Sequence, residues 1–387
     1  MNPYRSPWMT EELDLLRETA RRFFADRVVP HQAKWQRQHQ IDREVWREAG
    51  RLGLLCMSIP EQYGGHGGTF AHECVVIEEQ AKACDTSFGF VPGALNAPHF
   101  LFGTATHEQL LKWMPSIARG EAMLSVCISE PDAGTDVKAL RTVARRDGDD
   151  YVLNGSKIFI THGRQAELSI VAARTGGHGA KGISLFMVDT RASDGFRVGK
   201  VLEKIGQNGL DTCEIFLDDV RVPAGHLIGA EEGRGFGQLM DVFQKERVSI
   251  GIAGVATAER AIELTVEHAK NRKMFGQTLW DFQNTRFKLA ECATEARVAR
   301  VFIDSLIERI ARGESLEPSD APMAKWWCSD RQWRIVDECL QIFGGYGYMK
   351  EFPIAQLFMD ARVQRIYGGS NEIQRNILSK NVLGLPG

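Results

Sequence analysis

A chain of 387 residues with 43% apolar and 25% charged side chains has the make-up of a soluble globular protein and the length for two or three cooperating units. Its formal charge of -3 argues against a polyanion-binding surface, because nucleic-acid domains concentrate a positive surplus. The eight cysteines are singletons without a CxxC pair, which argues against a thiolate metal site or a disulfide scaffold, and no run of eighteen apolar residues offers a membrane span.

From about residue 9, Leu13, Leu16, Ala20 and Phe23 recur at helical spacing with charges between them. Further helices are expected across Glu44–Leu54, Ala71–Cys84 and Thr106–Arg119, with a turn-rich connector at Pro60–Gly68. Residues 1–125 therefore read as an N-terminal helical domain. The texture then changes. Tyr151–Gly155 and Lys157–Thr161 read as a tight hairpin, since Asn154-Gly155 supplies the positive φ values such turns require. Short apolar runs follow at Leu168–Ala173, Gly182–Val188 and Cys213–Leu217, so residues 126–233 read as an antiparallel β domain. Helical spacing returns with Val248, Ile252, Val255, Ile262, Val266 and Ala269, and helices are expected across Phe287–Ala311 and Ser319–Leu340. A long helix pair or four-helix bundle over residues 234–387 buries such stripes, with the final helices returning onto the first domain.

Chemistry concentrates in a few segments. Ser129-Glu130-Pro131-Asp132-Ala133-Gly134-Thr135-Asp136 joins the first helical unit to the β unit; its small and hydroxylic residues suit close approach to a ligand, or form a capped interdomain turn. Gly344-Gly345-Tyr346-Gly347 lacks the strand and spacing of a dinucleotide-binding loop. It either exposes N–H groups to phosphate or ends a helix. The ten histidines are scattered and His162 has no partner at ligand spacing, so no metal centre is assigned; no serine sits in a nucleophile elbow.

Taken together, these segments resemble the acyl-CoA dehydrogenase family along nearly the whole chain. The matching stretches are Cys127–Asp136, Gln341–Tyr348, Asn154-Gly155-Ser156-Lys157 with Ile160-Thr161, and Asn271-Arg272-Lys273-Met274-Phe275-Gly276. Each glycine motif is weak alone; their order and spacing are specific. The resemblance implies a multi-domain α+β fold: an N-terminal helical domain, a middle antiparallel β-barrel-like domain and a C-terminal four-helix bundle. It also implies noncovalent FAD, a homotetramer, an acyl-CoA substrate and reoxidation by electron-transfer flavoprotein. By the same resemblance Ser129 and Thr161 meet the isoalloxazine, and Thr135 lies in the acyl-CoA pocket or a nearby flavin contact. Arg272, Phe275 and Gln283 hold a neighbouring subunit's FAD, while Gln341, Gly344 and Gly345 line its adenine or pyrophosphate path.

One departure from the family pattern directs the mechanism. Where the common motif has Tyr-Glu-Gly with a catalytic glutamate, this chain has Tyr367-Gly368-Gly369, followed by Ser370-Asn371-Glu372. Gly368 has no carboxylate. Long-chain and isovaleryl-type members place the base on an earlier helix instead, and Lys245-Glu246-Arg247-Val248 matches that placement. Glu246 is therefore expected to be the base, with the Gly368 N–H kept as a donor to the thioester carbonyl. Arg247 becomes a candidate for coenzyme A contact or for shaping the base's surroundings. Tyr367 and Gly369 fall on the substrate side, and Ser370 on the cofactor side. Glu372, at a helix start, is a surface, cap or cofactor-side group.

The expected reaction is α,β-dehydrogenation of a long-chain or branched fatty acyl-CoA to the trans-2-enoyl-CoA. An isovaleryl-type short branched substrate uses the same base placement. An acyl-CoA oxidase would pass electrons to dioxygen, and a non-enzymatic acyl-CoA binding protein would be colourless and unable to take up FAD. The start, MNPYRSPWMTEELDLL, lacks an apolar signal core, which favours a bacterial-type cytoplasmic enzyme; a processed mitochondrial matrix chain would look similar.

Overall fold

The computed structural model describes residues 4–385. Its first part is helical: α1 (Glu11–Phe23), α2 (Gln32–Gln38), α3 (Arg43–Arg51), α4 (Phe70–Lys82), α5 (Ala97–Thr104) and α6 (His107–Ala118). Local chemistry sets the ends. Thr10 accepts a hydrogen bond from Leu13 N at the start of α1, where Glu11, Glu12 and Asp14 oppose the positive end of the helix dipole. Thr106 and Gln109 cap α6 reciprocally. The sequence gives no periodic signal for α5, because Ala97, Pro98, His99, Phe100 and Leu101 are all buried and leave no polar stripe. A π-helical turn, Phe90–Asn96, leads into it.

The β region comprises β1 (Leu124–Cys127), β2 (Val143–Asp147), β3 (Asp150–Thr161), β4 (Leu168–Arg174), β5 (Ile183–Asp189), β6 (Phe196–Val201) and β7 (Thr212–Pro223). They form one sheet in the order β1-β4-β2-β3-β7-β6, with β5 on β4. Two expectations are corrected. Asn154-Gly155 makes no hairpin: β3 is continuous, and its register against β7 shifts at Leu153/Gly155. A Cβ on Gly155 would stand 2.4 Å from Thr142 Oγ1, so this glycine serves a bulge and a close approach. The hairpin instead joins β2 to β3 through Gly148, with Asp147 opposite Asp150. Nor is the sheet antiparallel throughout. β1 pairs with β4 in parallel, and so does β2 at Val143–Arg174; the β2–β3 excursion between β1 and β4 is long enough to return the chain in the same direction.

The last part contains α7 (Gly235–Asn271), the short strands β8 (Lys273–Met274) and β9 (Gln277–Thr278), α8 (Gln283–Ala311), α9 (Asp320–Phe343), α10 (Pro353–Ala361) and α11 (Asn371–Leu383). α7, α8 and α9 pack along one another, α10 and α11 lie on α9, and α4 lies on α7 and α8, which is the expected return onto the first helical part. At that junction the buried Arg300 of α8 binds Glu78 of α4 and Glu259 of α7, with Asp304 3.7 Å away. Burial opposes the Arg300 charge, but the three carboxylates outweigh it and keep the guanidinium protonated. The first half of α7 meanwhile runs past α5 and β5, and this is where the site forms.

Candidate active site

Glu246 shares a face of α7 with Val242, Phe243, Ser249 and Ile250, which stand three and four residues either side of it. Phe243 meets Phe100 of α5 with ring centroids 5.7 Å apart, and Val242 covers Gly103, whose Cβ would lie 3.3 Å from it. The wall beside the carboxylate is therefore apolar. Burial pushes Glu246 up to about 7 against the opposing pull of Arg247 and Lys325. The residue nevertheless keeps partial surface access. A reachable but poorly hydrated carboxylate is the condition for a strong base near neutral pH.

Gly368 faces it. A Cβ at Gly368 would stand 3.7 Å from Glu246 Oε1 and 2.3 Å from Ile250 Cδ1. Gly368 and Gly369 hold φ of +63° and +79°, a left-handed pair that turns the chain sharply into α11. Gln374 Nε2 donates to the carbonyls of Gly368 and Gly369 at 3.2 and 3.1 Å. Among the described residues no protein acceptor takes the Gly368 N–H. Ser370 caps α11 by accepting from Ile373 N at 3.4 Å, and Glu372 is exposed in the first helical turn. Tyr367 borders the same space and is 36% exposed; loss of solvation on its packed side pushes its phenol up, and the charge of Glu246 adds to the push. Arg247, partly buried, leans over Phe243 with its guanidinium 5.8 Å from the ring centroid.

On the β side, Ser129 and Thr161 are both half-buried, and Ile158 N donates to Ser129 O at 2.9 Å, tying the Ser129 turn to β3. Beneath it lies a buried ion pair. Lys157 Nζ donates to Glu130 Oε1 at 2.8 Å and to Ile128 O at 3.1 Å, and Thr142 N donates to Glu130 at 2.9 Å. Burial pushes Glu130 up, but Lys157 and these N–H bonds hold it below its ordinary value. Thr135 stands exposed further along the turn. The sequence reading passed over Phe159, which is 65% exposed at φ +61°, a strained conformation for an aromatic residue. Its only sequence signal was a large apolar side chain two residues before Thr161.

The C-terminal candidates gather at one end of the bundle. Arg272 lies 5.3 Å over the Tyr346 ring. Phe275 is 88% exposed at the tip of the β8–β9 hairpin, where it and Gly276 hold φ of +48° and +79°. Gln283 opens α8 and is exposed, as are Gln341, Gly344 and Gly345; a Cβ on either glycine would meet open space. Hydroxyls beside an outward-facing phenyl ring at β3 fit a flat heteroaromatic ring, and at a separate place a cation with open glycine backbone at the bundle end fits a phosphate group.

Three family models match in order: acyl-CoA dehydrogenase, N-terminal domain, over residues 10–121; middle domain, over 125–220; and C-terminal domain, over 233–383. The chain is 40% identical over 377 residues to the long-chain specific acyl-CoA dehydrogenase, mitochondrial, of Mus musculus, covering 97% of this chain and 87% of that one. Its fold is similar to the crystal structure of acyl-CoA dehydrogenase from Geobacillus kaustophilus, with a TM-score of 0.94 and 37% identity over 98% of this chain and 100% of that chain. It is also similar to a glutaryl-CoA dehydrogenase from Mycobacterium smegmatis in complex with FADH2, with a TM-score of 0.90 and 26% identity over 98% and 96% of the two chains. The chain belongs to the acyl-CoA dehydrogenase family and is an FAD-dependent oxidoreductase acting on CH–CH bonds.

Proposed function

We propose that this enzyme dehydrogenates a long-chain or branched fatty acyl-CoA to the trans-2-enoyl-CoA, with Glu246 as the base and electron-transfer flavoprotein as the electron acceptor. The observation that carries the reading is the pairing of a raised, reachable carboxylate at Glu246 with the side-chain-free position at Gly368, where a Cβ would stand 3.7 Å from Glu246 Oε1. Glu246 takes the α proton of the thioester. Bound FAD supplies the acceptor for the β hydride. As the proton leaves, negative charge grows on the thioester oxygen, and the free Gly368 N–H is the donor that this chain offers to it. Arg247, Tyr367, Gly369 and Thr135 fall to the substrate side.

Ser129 and Thr161 are assigned to the flavin ring, with Ser370 and Glu372 on the cofactor side. Arg272, Phe275, Gln283, Gln341, Gly344 and Gly345 are assigned to the FAD of a neighbouring subunit in a homotetramer; the 88% exposure of Phe275 at the hairpin tip supports a role outside its own subunit. The apolar wall of Phe100, Val242 and Phe243 supports an alkyl substrate, and the mouse relative is named for long chains. The test is a comparison of kcat/KM for butyryl-, octanoyl-, palmitoyl- and isovaleryl-CoA with electron-transfer flavoprotein as acceptor. Palmitoyl-CoA is expected to lead. A lead for isovaleryl-CoA would move the chain to the short branched class, and fast reoxidation by dioxygen would make it an oxidase.

A further inference from the structure

Lys325 on α9 is fully buried and makes one side-chain hydrogen bond among the described residues, from Nζ to Asn371 Oδ1 at 2.7 Å. Asn371 is the first residue of α11 and is 1% exposed. Its Nδ2 donates to Ser329 Oγ and Asp330 Oδ1, both at 3.0 Å. The amide thus sits between α9 and the end of the Gly368-Gly369 loop, and Lys325 holds its oxygen. Gln374, itself buried, holds the carbonyls of the same two glycines. The loop that faces Glu246 is fixed from both of these residues.

The charges around Lys325 come from three elements: Asp330 on its own helix, Glu372 on α11, and Glu246 and Arg247 on α7. Asp330 is already engaged by Arg365 at 2.6 Å, Arg375 at 2.9 Å and Trp326 Nε1 at 3.0 Å. Glu372 is exposed and screened by solvent. Glu246, by contrast, forms no close ion pair among the described residues and feels Arg247 and Lys325 only through their charge. A buried lysine is retained as a cation only if something answers its charge; Asp330 and Glu372 answer most of it and Glu246 the least, while Arg247 and then Lys325 favour the charged form of Glu246. Burial lowers Lys325 to about 8, so it is charged at neutral pH.

We propose that Lys325 is a positioning residue for proton abstraction: through Asn371 it fixes the Gly368 loop opposite Glu246, and its standing positive charge, with that of Arg247, favours the ionised form of the Glu246 carboxyl. This inference rests on the reading of Glu246 as the base. The test is anaerobic single-turnover flavin reduction by acyl-CoA as a function of pH, using the FAD-loaded enzyme, K325M, K325R and E246Q. K325M is expected to move the acidic limb of the rate profile up by about one pH unit, and K325R to return it towards the original position. If K325M does not retain FAD, K325Q keeps a donor for Asn371 while losing the charge, and the same upward shift is expected. An unmoved acidic limb in FAD-loaded K325M or K325Q overturns the inference. E246Q separates the two claims. If it is inactive while the lysine variants keep the original limb, only the role of Lys325 falls; if it reduces flavin at the original rate, the base assignment falls and this inference with it.

Discussion

Glu246 Oε1 lies 3.7 Å from the point where a side chain on residue 368 would begin, and residue 368 is glycine. A carboxylate on α7 and one on the loop before α11 would therefore compete for the same volume. Moving the base to residue 368 would require a neighbour to give way. A Cβ at residue 368 would meet Ile250 Cδ1 at 2.3 Å, and its backbone holds φ +63°, which costs a non-glycine residue about 1–3 kcal/mol. In an E246Q background, G368E alone is expected to give no recovery of flavin reduction. Adding I250V, which removes the obstructing methyl, is expected to raise the rate at least about tenfold above the double variant. Stopped-flow bleaching of the flavin reads both. Equal rates in the double and triple variants would show that Ile250 is not the obstacle.

The raised Glu246 carboxyl has consequences for both rate and stability. Below about pH 7 the base is protonated, so flavin reduction in the unsubstituted enzyme is expected to fall about tenfold per pH unit on the acidic side. The folded chain also holds this proton more tightly than the unfolded chain, whose glutamate ionises near the ordinary value of 4.5. Between those two values stability contributed by the site falls as pH rises. E246Q carries no such penalty. Its melting temperature is expected to exceed that of the parent at about pH 8, with the gain shrinking as pH falls and vanishing only below about pH 4.5. A gain independent of pH would contradict the raised carboxyl.

Lys157 and Glu130 are the buried pin under the Ser129 turn, exposed by only 1% and 7%. Removing one member leaves the other charged and unpaired in the interior, a loss of about 3–5 kcal/mol. Lys157→Met is expected to lower the denaturation midpoint and to release FAD, because the turn carrying Ser129 is no longer held to β3. Chemical unfolding and the flavin absorbance retained after gel filtration measure the two effects. Retained FAD with unchanged stability would mean the pin is dispensable.

Phe275 is 88% exposed, so within one subunit Phe275→Ala removes almost no packing and is expected to leave the fold's stability within about 0.5 kcal/mol. If the hairpin reaches a neighbouring subunit's cofactor, the same change weakens FAD retention in the oligomer. The absorbance ratio of flavin to protein across a dilution series checks this. FAD retention equal to that of the parent at every concentration would place the cofactor contact elsewhere.

The periodic stripes of α1, α7 and α9 were legible because each of these helices has both a buried and a solvent-facing side. α5 was not legible, because it is buried nearly all round and leaves no period to read. Asn154-Gly155 misled for a different reason: the same dipeptide serves a tight turn or a bulge, and only the neighbouring Thr142 decides between them. In the site, Glu246 and Gly368 could be paired from sequence through the family resemblance, 122 residues apart in the numbering. Lys157, Phe159 and Lys325 could not be assigned their places. Their surroundings come from β7, the Ser129 turn and α11, which are brought to them only by the fold.

The most direct measurement is anaerobic flavin reduction by saturating palmitoyl-CoA in the parent enzyme and in E246Q, both loaded with FAD. The account predicts that E246Q binds FAD and acyl-CoA as the parent does while reducing its flavin at least ~100-fold more slowly, the low end for a positioned general base. Reduction by E246Q at close to the parent rate would contradict it and return the search for the base to another carboxylate.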